Sequence, residues 1–207
     1  MKLVISLLLS YLIGSIPSGF LLTKFVMKKD VREYGSGNIG ATNVARIMGL
    51  KAGVLVAFFD ILKGYIALMV GQYILGSSVP ELYILLIAAA SIAGHDWSVF
   101  LGFSGGKGVA TTFGVILRLY PAAFVVYAVI WLLIVFKTRY VSLGSILGSV
   151  SLPFTVFFTG FSRINIYFSV LLSLFIMYTH RANIKRLING NENRMDPKKL
   201  GSSGKNE

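Results

Sequence analysis

VATTFGVILRL (Val109–Leu119) sets how many times this chain crosses a membrane. As a helix it would rise roughly 16 Å, about half of a hydrocarbon core, and Arg118 stands near its end. Taken alone it suits a re-entrant segment as well as a span. The surrounding runs are plainer. Leu3–Val26, Gly53–Leu75, Leu82–Phe103, Pro121–Phe136, Leu143–Phe161 and Ile164–Thr179 are apolar, and 55% of the 207 residues are hydrophobic. That composition belongs to a polytopic membrane protein.

Charge settles the short segment. If it crosses, sixteen Lys and Arg residues between Lys24 and Lys205 share one side, and only Lys2, Arg118 and Arg163 face the other. If it does not, the basic tail falls opposite the basic first loop. The expected fold is therefore an all-α integral membrane protein: a compact bundle of seven transmembrane helices, N-terminus outside, C-terminus cytoplasmic. Leu3–Val26 is longer than a signal-peptide core and lacks an A-x-A-like cleavage site, so it is expected to remain as the first helix. No linker or repeat divides residues 1–194, which are expected to form a single transmembrane domain. Residues 195–207 read as a polar, disordered tail.

The chain has no cysteine, which excludes disulfides, thiolate metal sites and a cysteine nucleophile. With only two histidines, no metal site is expected. The net charge of +12 reports positive-inside loops, and no nucleic-acid partner is expected.

Both glycine-rich loops, SGNIGATN (Ser36–Asn43) and SGGKGVAT (Ser104–Thr111), fall on the basic side. The Lys137–Ser145 turn and the His180–Arg194 segment fall there too, so four polar clusters are expected on one face. GSGNIG (Gly35–Gly40) formally matches the dinucleotide fingerprint, with Asp60 twenty residues on. No hydrophobic strand precedes it, however, and Asp60 lies inside an apolar helix. GFSGGKG (Gly102–Gly108) resembles a P-loop but is one residue short and has Gly108 where a magnesium-binding hydroxyl is required. What remains is anion binding: glycine N–H groups gathered around the charge of Lys107.

A short helix from Ala41 would turn Arg46 back toward the first loop, and arginine suits bidentate capture of phosphate. His180 and Asn183 share a face if the helix continues through them. Ser142 and Ser145 share another face, where they either donate to a ligand or cap the helix. Asp60 and Lys63 are expected to pair within the bundle, and His95 reads as an interfacial anchor beside Asp96 and Trp97.

GSGNIGATNVAR (Gly35–Arg46), GFSGGKGVAT (Gly102–Thr111) and HRANIKRLINGNE (His180–Glu192) together resemble the signature segments of the membrane acyl-phosphate:glycerol-3-phosphate acyltransferases, the PlsY-type family. The likeness extends over about residues 1–194, with Ala182 standing where the family often has Glu. It implies a multi-pass enzyme of the bacterial inner membrane with its site facing the cytoplasm. Such an enzyme moves a fatty acyl group from acyl phosphate to the 1-hydroxyl of glycerol 3-phosphate, yielding lysophosphatidic acid and inorganic phosphate. No cofactor is implied. A soluble enzyme that makes acyl phosphate is a candidate partner, alongside the lipid bilayer.

By the same resemblance Ser36, Asn38, Gly40, Thr42 and Asn43 line the acyl-phosphate headgroup, and Gly105, Gly106, Lys107 and Gly108 complete the cradle. Arg46, Lys107, Ser142, Ser145, His180 and Asn183 hold glycerol 3-phosphate, with Arg139 near them. Lys107, His180, Asn183 and Ser36 are the expected catalytic residues. An acyl phosphate is already activated, so no acyl-enzyme is expected. The acceptor's proton passes to His180 or to a substrate phosphate oxygen, an alternative the residues leave open. The rival class is a transporter for a phosphorylated solute, whose paired loops would line a pore. Against it, only Asp60 and Asp96 supply carboxylates within the spans.

Overall fold

In the computed structural model, which describes residues 1–195 and 200, the fold is all-helical. Ten α-helices and two short 3-10 turns are present among the described residues, together with one isolated bridge between Ser98 and Ser104. Residues 1–115 form one compact unit and 116–195 another, the boundary falling within α6 (Val109–Leu119).

The first unit contains α1 (Lys2–Ser15), α2 (Ser18–Met27), α3 (Ala41–Met48), α4 (Leu50–Leu75), α5 (Glu81–Asp96) and the start of α6. The expected first span is thus two helices. Pro17 has no N–H to donate and pushes Ile16 out of the helical region, to ψ 115°. The Ile16 carbonyl, which also takes the Ser18 N–H at 3.1 Å, accepts a hydrogen bond from Lys63 Nζ at 2.7 Å, and Lys63 lies 2.8 Å from Asp60 Oδ1. A buried lysine therefore repairs the broken backbone, and the expected Asp60–Lys63 pair neutralises it.

Small residues let α1 press against α4 and α5. A Cβ on Gly14 would fall on the Ser91 carbonyl, and one on Gly94 on that of Tyr11. Ser6 and Ser10 donate to the Gly71 and Ala67 carbonyls of α4 at 3.2 and 3.0 Å. Polar groups face inward while Phe25, Tyr73 and Phe58 face out, the inverted pattern of a chain solvated by lipid.

The expected third span, Leu82–Phe103, stays α-helical only to Asp96. Although the sequence remains apolar, its backbone is tied elsewhere. Trp97 O accepts from the Tyr11 hydroxyl at 2.6 Å, and the Ser98 hydroxyl donates to Ser15 O at 2.6 Å. Gly102 and Phe103 then turn through positive φ, so the chain doubles back as a loop.

The second unit contains the end of α6, α7 (Pro121–Thr138), α8 (Val141–Phe158), α9 (Arg163–Thr179) and α10 (Arg181–Ile188). Gly144 and Gly148 admit Trp131 and Tyr127 of α7 against α8. The Tyr127 hydroxyl donates to Ser145 O at 2.7 Å. The Tyr120 hydroxyl donates to Asn165 Oδ1 at 2.6 Å, binding the start of α7 to that of α9.

Among the described residues four stretches are long and apolar enough to cross a bilayer: Lys2–Met27, Leu50–Leu75, Pro121–Thr138 and Val141–Phe158. Val109–Leu119 and Arg163–Thr179 are shorter apolar helices. Of the expected polar tail, residues 196–199 and 201–207 lie outside the described residues.

Candidate functional site

In the first unit the first glycine loop is organised by one side chain. Asn43, 1% exposed, accepts the Ser36 N–H at 2.8 Å, and its amide nitrogen donates to Tyr34 O at 3.0 Å, Asn38 O at 2.9 Å and Val31 O at 3.3 Å. Both amide hydrogens are therefore occupied inside the protein. Gly35 turns at φ +61°, and a Cβ there would fall on Asn43 Oδ1. Asn38 Oδ1 accepts the Gly40 N–H at 2.8 Å, closing an Asx turn directly before α3.

The expected helix from Ala41 is present, with Arg46, partly exposed, in its last turn. Its start leaves the Ala41 and Thr42 N–H groups without helical acceptors, beside an exposed Ser36. Val31, Ile39, Val44, Ile47 and Val56 form the core beneath, and Leu101 packs against the same cluster. The second loop thus starts beside the floor of the first. Its Gly105, Gly106 and Lys107 are partly exposed and Gly108 is buried at φ +70°. His95, expected as an interfacial anchor, is instead 4% exposed beneath this loop, because Gly106 leaves room for its ring.

In the second unit His180 is the joint between α9 and α10. Its Nδ1 lies 2.8 Å from Ile176 O. A carbonyl only accepts, so Nδ1 donates and the lone pair of the neutral ring sits on Nε2. Ile184 N–H bonds His180 O at 2.9 Å, which keeps His180 and Asn183 in one helical turn as expected.

The sequence reading missed the hub of this unit, Glu192. Its Oε1 accepts from Asn183 at 2.6 Å and from Ser142 at 2.8 Å, and its Oε2 from Arg186 at 2.7 Å. Glu192 thereby brings two expected site residues together. Ser145 stands apart from that group: its hydroxyl donates to Val141 O at 3.0 Å and accepts from the Trp131 indole at 3.3 Å. Arg139 caps α7 at φ +63°, and its carbonyl accepts the Met195 N–H at 2.8 Å.

Burial pushes the Glu192 carboxyl up, but hydrogen bonds from Asn183, Arg186 and Ser142, with the charge of Arg186, outweigh it and hold the group below its usual range. A folded-state value below the unfolded one gives stability that is complete above the ordinary glutamate range and is lost as pH falls through the folded value. Glu192→Ala strands three donors and should cost about 2–4 kcal/mol. Glu192→Gln should flatten the acid side of the stability profile. Thermal unfolding in detergent across pH measures both.

Among the described residues no three His, Cys, Asp or Glu side chains gather as a metal site. The first unit offers hydroxyls, backbone N–H groups and basic side chains, which suit phosphate, and the second offers an oriented imidazole with amide and hydroxyl groups, which suit a hydroxyl.

Comparison with known proteins agrees. A family model described as glycerol-3-phosphate acyltransferase matches residues 4–190. A glycerol-3-phosphate acyltransferase of Thermoanaerobacter pseudethanolicus is 41% identical over 199 residues, 96% of this chain and 98% of that protein. One from Desulforudis audaxviator is 44% identical over 191 residues, covering 92% and 94%. Crystal structures of PlsY (YgiH), an integral membrane glycerol 3-phosphate acyltransferase, superpose closely. The glycerol 3-phosphate form gives a TM-score of 0.87 at 38% identity, covering 95% of this chain and 96% of that one. The lysophosphatidic acid form gives 0.85 at 37%, covering 96% and 98%. With three signature segments, an all-helical fold clad in apolar side chains, and relatives matched over nearly their whole length, this chain belongs to the glycerol-3-phosphate acyltransferases of the PlsY type, a family of integral membrane enzymes.

Proposed function

We propose that this protein acylates the 1-hydroxyl of glycerol 3-phosphate with acyl phosphate as donor, producing lysophosphatidic acid and inorganic phosphate. The observation that supports the donor assignment is a pair of glycine-rich loops with Lys107 among them and, among the described residues, no histidine-paired serine or cysteine to accept an acyl group. The chain has no cysteine, and exposed Ser36 lies on a loop ordered by Asn43, with no histidine bonded to it among the described residues. Such a site suits a donor that arrives activated, as a mixed anhydride does.

In the first unit, Ser36, Asn38, Gly40 and Thr42, with Gly105, Gly106, Lys107 and Gly108, receive the acyl-phosphate headgroup. Asn43 acts by holding the loop. Arg46 and Lys107 supply positive charge to the phosphate of the acceptor. In the second unit, Ser142 and Asn183 are aligned by Glu192, and His180 Nε2 accepts the hydrogen bond of the acceptor hydroxyl. Ser145 contributes to the glycerol 3-phosphate set from the same face of α8. Lys107 and the loop N–H groups stabilise the carbonyl oxygen and departing phosphate as charge develops.

Residues 1–194 act as one catalytic domain of seven crossings, N-terminus outside, with the reaction at the cytoplasmic face of the bacterial inner membrane. The distribution of basic residues supports that orientation. The enzyme that makes acyl phosphate is a natural partner at that face.

The test is phosphate release by purified protein given palmitoyl phosphate, with and without glycerol 3-phosphate, against palmitoyl-CoA. Release that requires both acyl phosphate and acceptor is expected. Turnover with palmitoyl-CoA alone as donor would overturn the donor assignment, and counterflow of labelled glycerol 3-phosphate without acylation would favour a carrier.

A further inference from the structure

Beneath the second glycine loop lies a row of buried titratable side chains that the proposed reaction does not use. Asp60, Lys63, His95 and Asp96 are each no more than 6% exposed. They connect in order: Ile16 O accepts from Lys63, Lys63 pairs with Asp60, and Asp60 Oδ1 lies 3.8 Å from His95 Nδ1. At its other end the His95 ring lies flush against the loop. A Cβ on Gly106 would fall on the imidazole Nε2, while the Gly106 N–H donates to His95 O at 3.0 Å. A Cβ on Gly105 would fall on the same carbonyl, and one on Gly108 would lie 2.9 Å from Asp96 Oδ1.

The three glycines are therefore read against His95 and Asp96 below, not only against a ligand above. Maintaining such a row in an apolar setting is costly, because His95 Nδ1 and both Asp96 carboxylate oxygens lack hydrogen-bond partners among the described residues. Repairing the Pro17 break accounts for Lys63 and Asp60 but leaves His95 unexplained.

We propose that Asp60 and His95 are positioning residues for the proposed reaction: they hold the Gly105–Gly108 backbone in the shape that receives the donor's phosphate. The inference rests on acyl phosphate being bound by this loop. Its effect falls on the donor, whose headgroup meets the loop backbone. The acceptor is affected little, since the flexible stem of Lys107 can readjust to a small displacement.

The test is steady-state kinetics in detergent with palmitoyl phosphate and glycerol 3-phosphate, beside thermal unfolding. For His95→Gln and Asp60→Asn, KM for acyl phosphate should rise about tenfold while KM for glycerol 3-phosphate stays within about twofold. Gly106→Ala should do the same by forcing the loop off the ring. Combined with His95→Ala, which removes the ring, it should cost no more than the worse single change, because both act through one contact. The relay is overturned if the folded variants lower only the unfolding temperature, if both KM values rise together, or if the paired changes multiply. Wild-type protein that does not turn over palmitoyl phosphate would instead remove the donor reading, and the relay with it.

Discussion

Lys107→Ala should lower kcat/KM by about 10³-fold or more with palmitoyl phosphate and glycerol 3-phosphate, while the protein stays folded. Two losses combine. A charge-assisted hydrogen bond to a phosphate contributes about 1.5–3 kcal/mol to binding. A donor aimed at charge that grows in the transition state contributes about 10²–10³ in rate. Lys107 is proposed to serve both substrates, so its removal exceeds either loss alone. The side chain is partly exposed on a loop outside the helices, which is why folding should survive. Lys107→Arg should recover only part of the rate, since a planar fork replaces a compact ammonium in a pocket of glycines. Initial rates beside thermal unfolding decide the matter, and wild-type kinetics in folded Lys107→Ala protein would remove the cradle.

Features with a local physical signature were legible in the chain. The three-residue spacing of Asp60 and Lys63 in an apolar helix foretold their pairing at 2.8 Å. The short helix supposed near Ala41 is α3. The glycine-rich composition of both loops is what the proposed anion binding starts from, and comparison with known enzymes places the chain in a family.

Features that depend on what packs against a segment were not legible. Hydropathy runs straight through Ile16–Pro17 and through Trp97–Phe103, yet the backbone breaks at the first and doubles back at the second. The proline was a visible signal for the former. Nothing local announces that Tyr11 and Ser98 tie the latter down. Glu192 lies nine residues beyond Asn183 and fifty beyond Ser142, so no helical spacing links the three. The second loop's glycines looked selected for a ligand alone, whereas the buried ring of His95 also demands their missing side chains.

His180→Ala should lower kcat by about 10²–10⁴, the range a positioned proton acceptor contributes. Nδ1 is held by Ile176 O at 2.8 Å, which fixes the ring and places the lone pair on Nε2, the atom proposed to meet the acceptor hydroxyl. His180→Asn separates the two functions, because its amide nitrogen superposes on Nδ1 and can still donate to Ile176 O while nothing replaces Nε2. It should therefore be about as inactive as His180→Ala yet unfold close to the wild-type temperature, with the α9–α10 joint intact. An Asn variant that retained the wild-type rate would place the function of His180 in its structural bond to Ile176. An inactive, stably folded one would place it in the part of the ring beyond Nδ1, where Nε2 is the polar atom.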